Sequence, residues 1–196
     1  MSGAANSPVL VLASTSPRRR ELLARIGLVP TRIAAPEIDE TPLKAELPRD
    51  YVARLAKGKA LAVARAPGEV VLAGDTTVAV GRRILEKPAD EADLRRMLAL
   101  LSGRRHHVYS GICVVGADGK ARVRVVDTIV AFKALSAAEI DCYVESGEGM
   151  GKAGGYAIQG RAETFVRFLS GSHSNVVGLP LFETRALLTS AGIALG

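Results

Sequence analysis

The sequence predicts an α/β protein built around a mixed β-sheet. Short runs rich in Val, Leu and Ala, which are typical of buried strands, alternate along the chain with amphipathic stretches that begin with helix-start signals. Two strand-like runs, "TTVAV" and "RILEK", are separated by Gly81 and Arg82 alone, which predicts a β-hairpin and hence antiparallel pairing. Because strands and helices mix in this way and a hairpin is among them, the pattern excludes a purely parallel sheet.

The elements follow from these patterns in chain order. The predicted strands are residues 9–13, 31–35, 69–74, 76–80, 83–87, 106–116, 121–135 and 165–171. The predicted helices are residues 17–25, 49–65, 90–103, 136–147 and 180–192. Ser16 and Pro17 mark the first helix start, and Ser136 with Glu139 has the spacing of a capping box. The glycine-rich residues 147–160 are predicted to form a loop.

The composition predicts one aliphatic core. The chain has 196 residues, of which 48% are hydrophobic, but it has no Trp and only 4 Tyr and 4 Phe. This length fits one domain or two closely joined lobes, and no linker, repeat or low-complexity stretch divides it. We therefore expect residues 1–196 to form a single domain.

Charge and cysteine content limit the partners and the compartment. The net charge of +6 favours an anionic partner, which could be nucleic acid, a membrane or a phosphorylated small molecule. The basic residues are scattered and are not interleaved with aromatic residues, which disfavours a single-strand nucleic-acid surface. Cys113 and Cys142 lack CxxC spacing, so we expect a reducing compartment and two small, buried side chains. Without a signal peptide or a run of ~18 apolar residues, we expect a cytoplasmic protein with no membrane association.

Three consecutive arginines stand at the start of the first predicted helix, in "LASTSPRRRELL". A helix N-terminus favours negative charge, because its unpaired N–H groups carry a partial positive charge. Helical spacing aligns Arg18 with Leu22 and Arg19 with Leu23, so these two arginines should point inward, whereas Arg20 should be exposed. A Ser-rich turn leading into a helix suits phosphate, and arginine adds bidentate donors. The stretch therefore predicts either a polyphosphate site or a surface cluster paired with carboxylates.

Two further charged residues stand in unusual positions. Lys59 falls on the apolar stripe of the second predicted helix, whereas Lys57 does not. A lysine on that face either reaches water along its own stem or binds an anion. Asp75 follows a buried run and is expected at the carboxyl edge of the sheet, where it could be a general base, a metal ligand or a turn residue.

Amide and carboxylate side chains complete the candidate set. Gln159 stands between glycines in "GGYAIQG", and its amide can both donate and accept, as the reading of a base edge requires; otherwise it lies on a flexible loop. Glu37, Asp39 and Glu40 lie on a predicted loop and could bind Mg²⁺ or remain solvated. With Lys87 as a further cation, this inventory suits a nucleoside triphosphate and Mg²⁺.

The chain resembles the Maf (septum-formation inhibitor) family of nucleotide pyrophosphatases from about residue 9 to residue 185. The matching stretches, in order, are "LASTSPRRRELL", "YVARLAKGKA", "AGDTTV", "ILEKP", "KAGGYAIQG" and "NVVGLPLFET". The resemblance implies a two-lobed α/β fold with a cleft, related to the inosine-triphosphate pyrophosphatases and commonly homodimeric. It places family functional positions at Ser14, Arg18, Arg19, Glu40, Lys59, Asp75, Lys87 and Gln159. The Glu40 match needs a loop shift of one residue, so Asp39 competes with it.

The resemblance also implies a reaction, the hydrolysis of a nucleoside triphosphate to the monophosphate and pyrophosphate with Mg²⁺ or Mn²⁺. It favours the branch acting on dTTP and UTP, in which Arg18, Thr76 and Gln159 are linked to substrate choice. We expect Asp75 to be catalytic and Glu40 and Asp75 to hold the metal. The expected substrate contacts are Ser14, Arg18, Arg19, Lys59, Thr76, Lys87 and Gln159. Two alternatives stay open: a non-catalytic nucleotide or nucleic-acid binding protein linked to cell division, and the same chemistry on a modified or purine nucleotide.

Overall fold

The computed structural model describes residues 8–194 and has a single mixed sheet at its centre. Within those residues the strands are β1 (Val9–Ala13), β2 (Arg32–Ala34), β3 (Glu69–Val80), β4 (Arg83–Leu85), β5 (Arg105–Val115), β6 (Ala121–Phe132) and β7 (Val166–Ser170). The helices are α1 (Pro17–Arg25), α2 (Pro48–Ala62), α3 (Glu91–Leu101), α4 (Ala137–Glu145), α5 (His173–Val177) and α6 (Leu181–Ser190).

The strand order is β2-β1-β3-β5-β6-β7, and β4 pairs with β3 off this path. β1 runs parallel to β2 and β3, whereas β3 with β4, β3 with β5, β5 with β6 and β6 with β7 are antiparallel pairs. The predicted mixed α/β sheet is therefore confirmed. The predicted hairpin is confirmed as well, since Val80 pairs with Arg83 across the Gly81-Arg82 turn.

The two faces of the sheet carry different layers. Alternate residues of β1 and β3, such as Val11 and Val71, pack with α2 on one face. Their neighbours, such as Leu12 and Leu72, join a larger core on the other face with α1, α3, α4 and α6. This alternation follows from the two-residue period of a strand. Each completely buried Leu contributes roughly 1.5–3 kcal/mol relative to exposure, and the aliphatic core predicted from composition is present.

A short gap interrupts one side of β3. β1 pairs with β3 as far as Ala73, and β4 pairs with the same side of β3 only from Val78 onward. Among the described residues, no strand pairs with residues 74–77 on this side. Because β1 and β4 both leave the sheet at the gap, the residues that follow each of them stand on its two sides.

Some predicted boundaries differ from the structure. The prediction that a strand ends before Asp75 is wrong: β3 is one strand of 12 residues, and Asp75 lies within it. The strand continues because β5 pairs with it from Val71 to Ala79. Asp75 nevertheless lies just beyond the carboxyl end of β1, so it stands next to the edge where it was expected. The second helix begins at Pro48 and ends at Ala62, because Val63 adopts extended backbone.

Other differences concern small elements and the cysteines. The helix α5 was not predicted, and the glycine-rich loop contains short 3₁₀ turns at Ala153–Gly155 and, just beyond it, Arg161–Phe165. Cys113 is buried as expected, but Cys142 is exposed, so the prediction of two buried cysteines is wrong for Cys142. Among the described residues, no helix is both long enough and apolar enough to cross a membrane.

Candidate active site

A pocket of about 900 Å³ opens at the gap in β3. Every residue predicted for the site lines it: Ser14, Arg18, Arg19, Glu40, Lys59, Asp75, Thr76, Lys87 and Gln159. They come from α1 and the turn before it, from α2, from β3 and from loops that are distant in sequence. The fold thus brings together polar and charged residues that stand in separate stretches of the sequence.

A charged cluster of Asp75, Lys59 and Glu40 lies on the α2 side of the pocket. Lys59 Nζ donates to Asp75 Oδ1 at 2.7 Å and lies 3.0 Å from Glu40 Oε1. Lys59 and Asp75 are each 8% exposed, so each needs the other because an unpaired buried charge is costly. The prediction that Lys59 lies on the inner face of α2 is confirmed, and Lys57 is exposed as expected.

The competition between Glu40 and Asp39 has a geometric answer. Asp39 Oδ1 accepts a hydrogen bond from the Thr41 N–H at 2.9 Å, which closes a local turn. Hydrogen bonding to Thr41, through its side chain and then its backbone, lowers the pKa of Asp39. Asp39 does not line the pocket, whereas Glu40 does and pairs with Lys59. The geometry therefore favours Glu40 as the carboxylate available to a ligand.

Gly111 lets α2 approach the sheet closely enough for this cluster to form. Gly111 is the strand partner of Asp75 on β5. A Cβ atom at Gly111 would lie 2.1 Å from the backbone oxygen of Val52 in α2, which is far inside van der Waals contact. Only a glycine fits there without displacing the helix, and α2 carries Lys59.

The start of α1 presents positive charge to the pocket. Its N-cap residue, Ser16, makes no side-chain capping hydrogen bond, and no acidic residue stands in its first turn. As predicted, Arg18 and Arg19 are half-buried and Arg20 is exposed. Burial lowers the pKa of the Arg18 and Arg19 guanidinium groups. An anion in the pocket would offset this desolvation and would accept hydrogen bonds from the free N–H groups at the start of the helix.

The opposite face of β3 carries Thr76, which meets α1 and α5. Arg19 Nη1 donates to Ser14 Oγ at 3.0 Å, and Arg19 Nη2 lies 3.5 Å from Thr76 Oγ1. Asp75 and Thr76 are adjacent, so they project from opposite faces of the strand. The gap beside residues 74–77 of β3 makes the Asp75 and Thr76 side chains accessible from one pocket.

Gln159 lies on a segment that is anchored before and after it. The Ala157 N–H donates to Tyr143 Oη at 3.2 Å, and the Arg161 N–H donates to Glu148 Oε1 at 2.9 Å. Gln159 itself is exposed and lines the pocket. These anchors favour a fixed amide over the alternative of a flexible loop.

Sequence reasoning missed further residues that line the pocket, among them Tyr51, Glu86 and Lys152. Burial raises the pKa of Tyr51, and the charges of the surrounding carboxylates raise it further. Burial lowers the pKa of Lys152, and the charge of Arg18, which lines the same pocket, lowers it further. Tyr51, Glu86 and Lys152 each stand in a stretch that carries the family resemblance, and that position was the signal available in the sequence.

The donor set fits a divalent cation that is shared with a substrate. Glu40 and Asp75 are oxygen ligands in one pocket, and with Lys59 between them their cluster carries a net negative charge. Across residues 8–194, no three His, Cys, Asp or Glu side chains converge into a metal cage. Mg²⁺ is commonly held by one or two carboxylates together with substrate phosphates, which matches this arrangement.

Comparison with known proteins identifies the family. A family model described as Maf-like protein matches residues 9–191. The chain belongs to the Maf family. A Maf relative from Sphingopyxis alaskensis, named dTTP/UTP pyrophosphatase, is 89% identical over 189 residues that cover 96% of this chain and 100% of that protein. A relative from Novosphingobium aromaticivorans with the same name is 58% identical, with coverage of 98% and 96%. The resemblance seen in the sequence is thereby confirmed.

Solved structures extend the comparison of this Maf chain to its fold. The Ham1 protein of Staphylococcus aureus matches with a TM-score of 0.53 at 14% identity, over 92% of this chain and 98% of that one. A HAM1 protein from Coxiella burnetii matches with a TM-score of 0.52 at 18% identity, over 94% and 100%. These matches concern the fold alone, and they confirm the fold relationship that the resemblance implies.

Proposed function

We propose that this Maf-family protein hydrolyses dTTP and UTP to the nucleoside monophosphate and pyrophosphate. The two substrates are those in the names of its close relatives, one of them 89% identical. The observation that carries the reaction class is a buried carboxylate, Asp75, in the same pocket as cations from several elements. A pocket of about 900 Å³ is large enough for a nucleotide.

The triphosphate is bound by the cations around the gap. Arg18, Arg19 and the start of α1 face it from one side, and Lys87 follows β4 on the other. One N–H of Lys59 Nζ donates to Asp75, and the other N–H groups can turn from Glu40 to a phosphate oxygen. Fixed cations of this kind position the phosphate chain and stabilise the charge that develops in the transition state.

Asp75 orients and deprotonates the attacking water. Asp75 Oδ1 accepts from Lys59, which fixes the carboxylate and leaves Oδ2 for the water. The water oxygen attacks the α-phosphorus while its proton passes to Asp75. The bond between the α-phosphorus and the bridging oxygen breaks, and pyrophosphate leaves with the bonding electron pair.

A divalent cation, Mg²⁺ or Mn²⁺, belongs to the proposed site, with Glu40 and Asp75 as the residues that would hold it. When bound, it supplies positive charge that stabilises phosphate oxygens and favours deprotonation of water. Chelation with EDTA should therefore stop turnover, and added Mg²⁺ or Mn²⁺ should restore it.

The expected partners and location belong to the proposal as well. Gln159 and Thr76 would contact the base or sugar, as the resemblance implies. A homodimer rests on the same resemblance. A cytoplasmic location rests on the proposed substrates, which are intracellular nucleotides, and stable nucleic-acid binding is not expected.

The proposal is tested by pyrophosphate release with an Asp75→Asn variant. Asparagine keeps the shape of the side chain but cannot take the proton, so turnover of dTTP and UTP should fall by about 10²–10⁴-fold. Asp127→Asn is the matched control, because Asp127 is an exposed carboxylate on β6 that pairs with His107 outside the pocket. Its activity should stay at the wild-type level. CTP, ITP and 7-methyl-GTP are assayed alongside, and circular dichroism checks that each variant is folded.

The outcomes separate the alternatives. Wild-type-like turnover in a folded Asp75→Asn protein would remove Asp75 from the chemistry. Release from a purine or modified nucleotide alone would keep the reaction and overturn the assignment of dTTP and UTP. No release from any nucleotide by folded wild-type protein would favour a binding protein.

A further inference from the structure

A chain of buried hydroxyl and amide groups leads from the pocket to α5. Thr76 and Ser110 are strand partners on β3 and β5, and their Oγ1 and Oγ atoms are 2.7 Å apart. Ser110 Oγ lies 3.1 Å from the backbone oxygen of Asn175 in α5. Ser110 and Asn175 are both completely buried, so their polar groups need hydrogen-bond partners within the protein.

The backbone carbonyl of Asn175 takes the proton of Ser110. In a helix that continued past α5, the Leu179 N–H would donate to this carbonyl. Instead, the Gly178 and Leu179 N–H groups both donate to Ser174 O. The Asn175 carbonyl is therefore satisfied by the Ser110 hydroxyl, since a buried carbonyl without a donor is costly.

The position of that carbonyl is itself fixed. Asn175 Nδ2 donates to Val108 O at 2.9 Å and to Thr128 Oγ1 at 3.0 Å, which ties α5 to β5 and β6. The N-cap residue of α5, Ser172, is held to β6 as well, since the Ser172 N–H donates to Thr128 Oγ1 at 3.1 Å. The acceptor offered to Ser110 is thus part of a rigid unit.

This arrangement fixes the hydroxyl proton of Thr76. A serine hydroxyl has one proton, so Ser110, which donates to Asn175, accepts from Thr76. The Gly178 oxygen is the alternative acceptor, but at 3.4 Å it is much farther from Thr76 Oγ1 than Ser110 at 2.7 Å. With its proton turned inward, Thr76 offers only lone pairs to the pocket; the Arg19 Nη2 donor at 3.5 Å can occupy one of them and leaves the other for a ligand.

We propose that Ser110 and Asn175 are positioning residues for base selection, because they make Thr76 an obligatory acceptor. A triphosphate chain carries no donor at neutral pH, so an acceptor in the pocket suits the base or the sugar. Uracil and thymine present an N3–H donor, whereas cytosine presents a lone pair at N3. Cytosine carries its donor on the C4 amino group instead, so Thr76 placed opposite N3 favours uracil and thymine nucleotides over cytosine nucleotides. The inference rests on the proposed function and adds to it two residues that do not line the pocket.

The test is a double-mutant cycle on the preference for uracil over cytosine. Affinities are measured by calorimetry with Mg²⁺ and the α,β-methylene analogues of UTP and CTP, which cannot be cleaved between the α- and β-phosphorus. Ser110→Ala frees the Thr76 proton to turn toward the pocket, so the UTP-to-CTP preference should fall about fivefold. Thr76→Val should lower the preference too, and adding Ser110→Ala to it should change nothing further.

Ser102→Ala is the matched control, because Ser102 Oγ accepts from the Leu135 N–H at 2.8 Å outside the pocket lining. It should keep the wild-type preference despite a similar loss of one hydrogen bond. An unchanged preference in Ser110→Ala would overturn the inference. It would also be overturned if Ser110→Ala lowered the preference by the same factor in wild type and in the Thr76→Val variant. Hydrolysis of UTP is measured separately. Wild-type protein with the predicted binding cycle but no hydrolysis would reject the proposed function and leave the inference standing.

Discussion

Arg19 shows how the positive charge at the start of α1 is accommodated. Its Nε donates to Gly178 O at 2.9 Å, and its Nη1 donates to Ser14 Oγ. Gly74 leaves room for it, since a Cβ there would lie 3.4 Å from Arg19 Nε. Arg19 therefore joins α1 to α5 across β3, while Arg18 beside it keeps its donors for a ligand. The two arginines have different roles, although the sequence places them side by side.

His106 makes the stability of the fold depend on pH. It is completely buried, and its Nε2 lies 2.8 Å from Tyr156 Oη. Burial lowers its pKa from 6.5 to about 4, and the charge of His107 lowers it slightly more. The unfolded chain takes up this proton below about pH 6.5 and the folded chain does not. The free energy of unfolding should therefore fall by about 3 kcal/mol between pH 7 and pH 4, and the contribution of this group should level off below pH 4.

Urea unfolding at several pH values measures this effect. His106→Gln keeps a polar partner for Tyr156 but does not titrate. The free energy of unfolding of this variant should therefore fall less steeply between pH 7 and pH 4 than that of wild type. His107→Gln is the matched control, because His107 is half-buried and pairs with Asp127. Equal slopes in wild type and His106→Gln would contradict the assignment.

Residue-level prediction succeeded where spacing along one element decides the outcome. The inward direction of Arg18 and Arg19 and the burial of Lys59 follow from helical periodicity. Contacts between distant elements did not follow: Ser110 meets Thr76, and Asn175 meets Ser110, only because β3, β5 and α5 pack together. Sequence spacing carries no information about such contacts.

At the scale of elements, the contact between α2 and the sheet depends on Gly111 of β5. Gly111→Ala would place a methyl group 2.1 Å from Val52 O, and a backbone atom cannot yield as a flexible side chain can. We expect a loss of about 1–3 kcal/mol in unfolding free energy. The displaced helix should also carry Lys59 away from Asp75 and weaken triphosphate binding.

Gly58→Ala provides the comparison within α2 itself. Its nearest contact would be the end of the Ile38 side chain at 3.3 Å, which needs to move by only a few tenths of an ångström. Alanine in a helix interior is favoured over glycine by roughly 0.5–1 kcal/mol, so this variant should be as stable as wild type or more stable. Chemical denaturation and the KM for UTP measure both variants. Similar effects at the two positions would mean that close packing at Gly111 is not the cause.

The boundaries of β3 and the existence of α5 could not be read from local signals. Gly74 resembles a strand end, but nine consecutive pairs with β5 carry β3 through it. The five residues of α5 are too few for a stable isolated helix, and their order depends on Asn175 and its contacts with β5 and β6. Tertiary contacts decided both cases.

At the scale of the whole molecule, a bound nucleotide should join most of its parts. The pocket is lined by the start of α1, by α2, β3 and the loop before Gln159, and by the end of α5. α,β-Methylene-UTP with Mg²⁺ at about 100 times its Kd should stabilise the fold by roughly 2.7 kcal/mol, which is about 5–10 °C in Tm for a chain of this size. Thermal unfolding followed by fluorescence of an external dye measures the shift.

UMP with Mg²⁺ at the same concentration is the control, because it has the base and sugar but lacks the β- and γ-phosphates. Its shift should be much smaller if the cations bind the phosphate chain. Equal shifts would show that the β- and γ-phosphates add nothing to binding. The single domain and the homodimer stay predictions, and light scattering would detect a dimer at twice the 20.6 kDa of one chain.

The gap in β3 also bears on aggregation. An open sheet edge is a template to which a strand of another molecule can add. At the gap, β1 and β4 flank residues 74–77 on the same side of β3. This opening is shorter than an ordinary strand of about 5–6 residues, so a second chain has too little length to pair with. The protein thus leaves the backbone of a central strand open to a small molecule while closing it to other polypeptides.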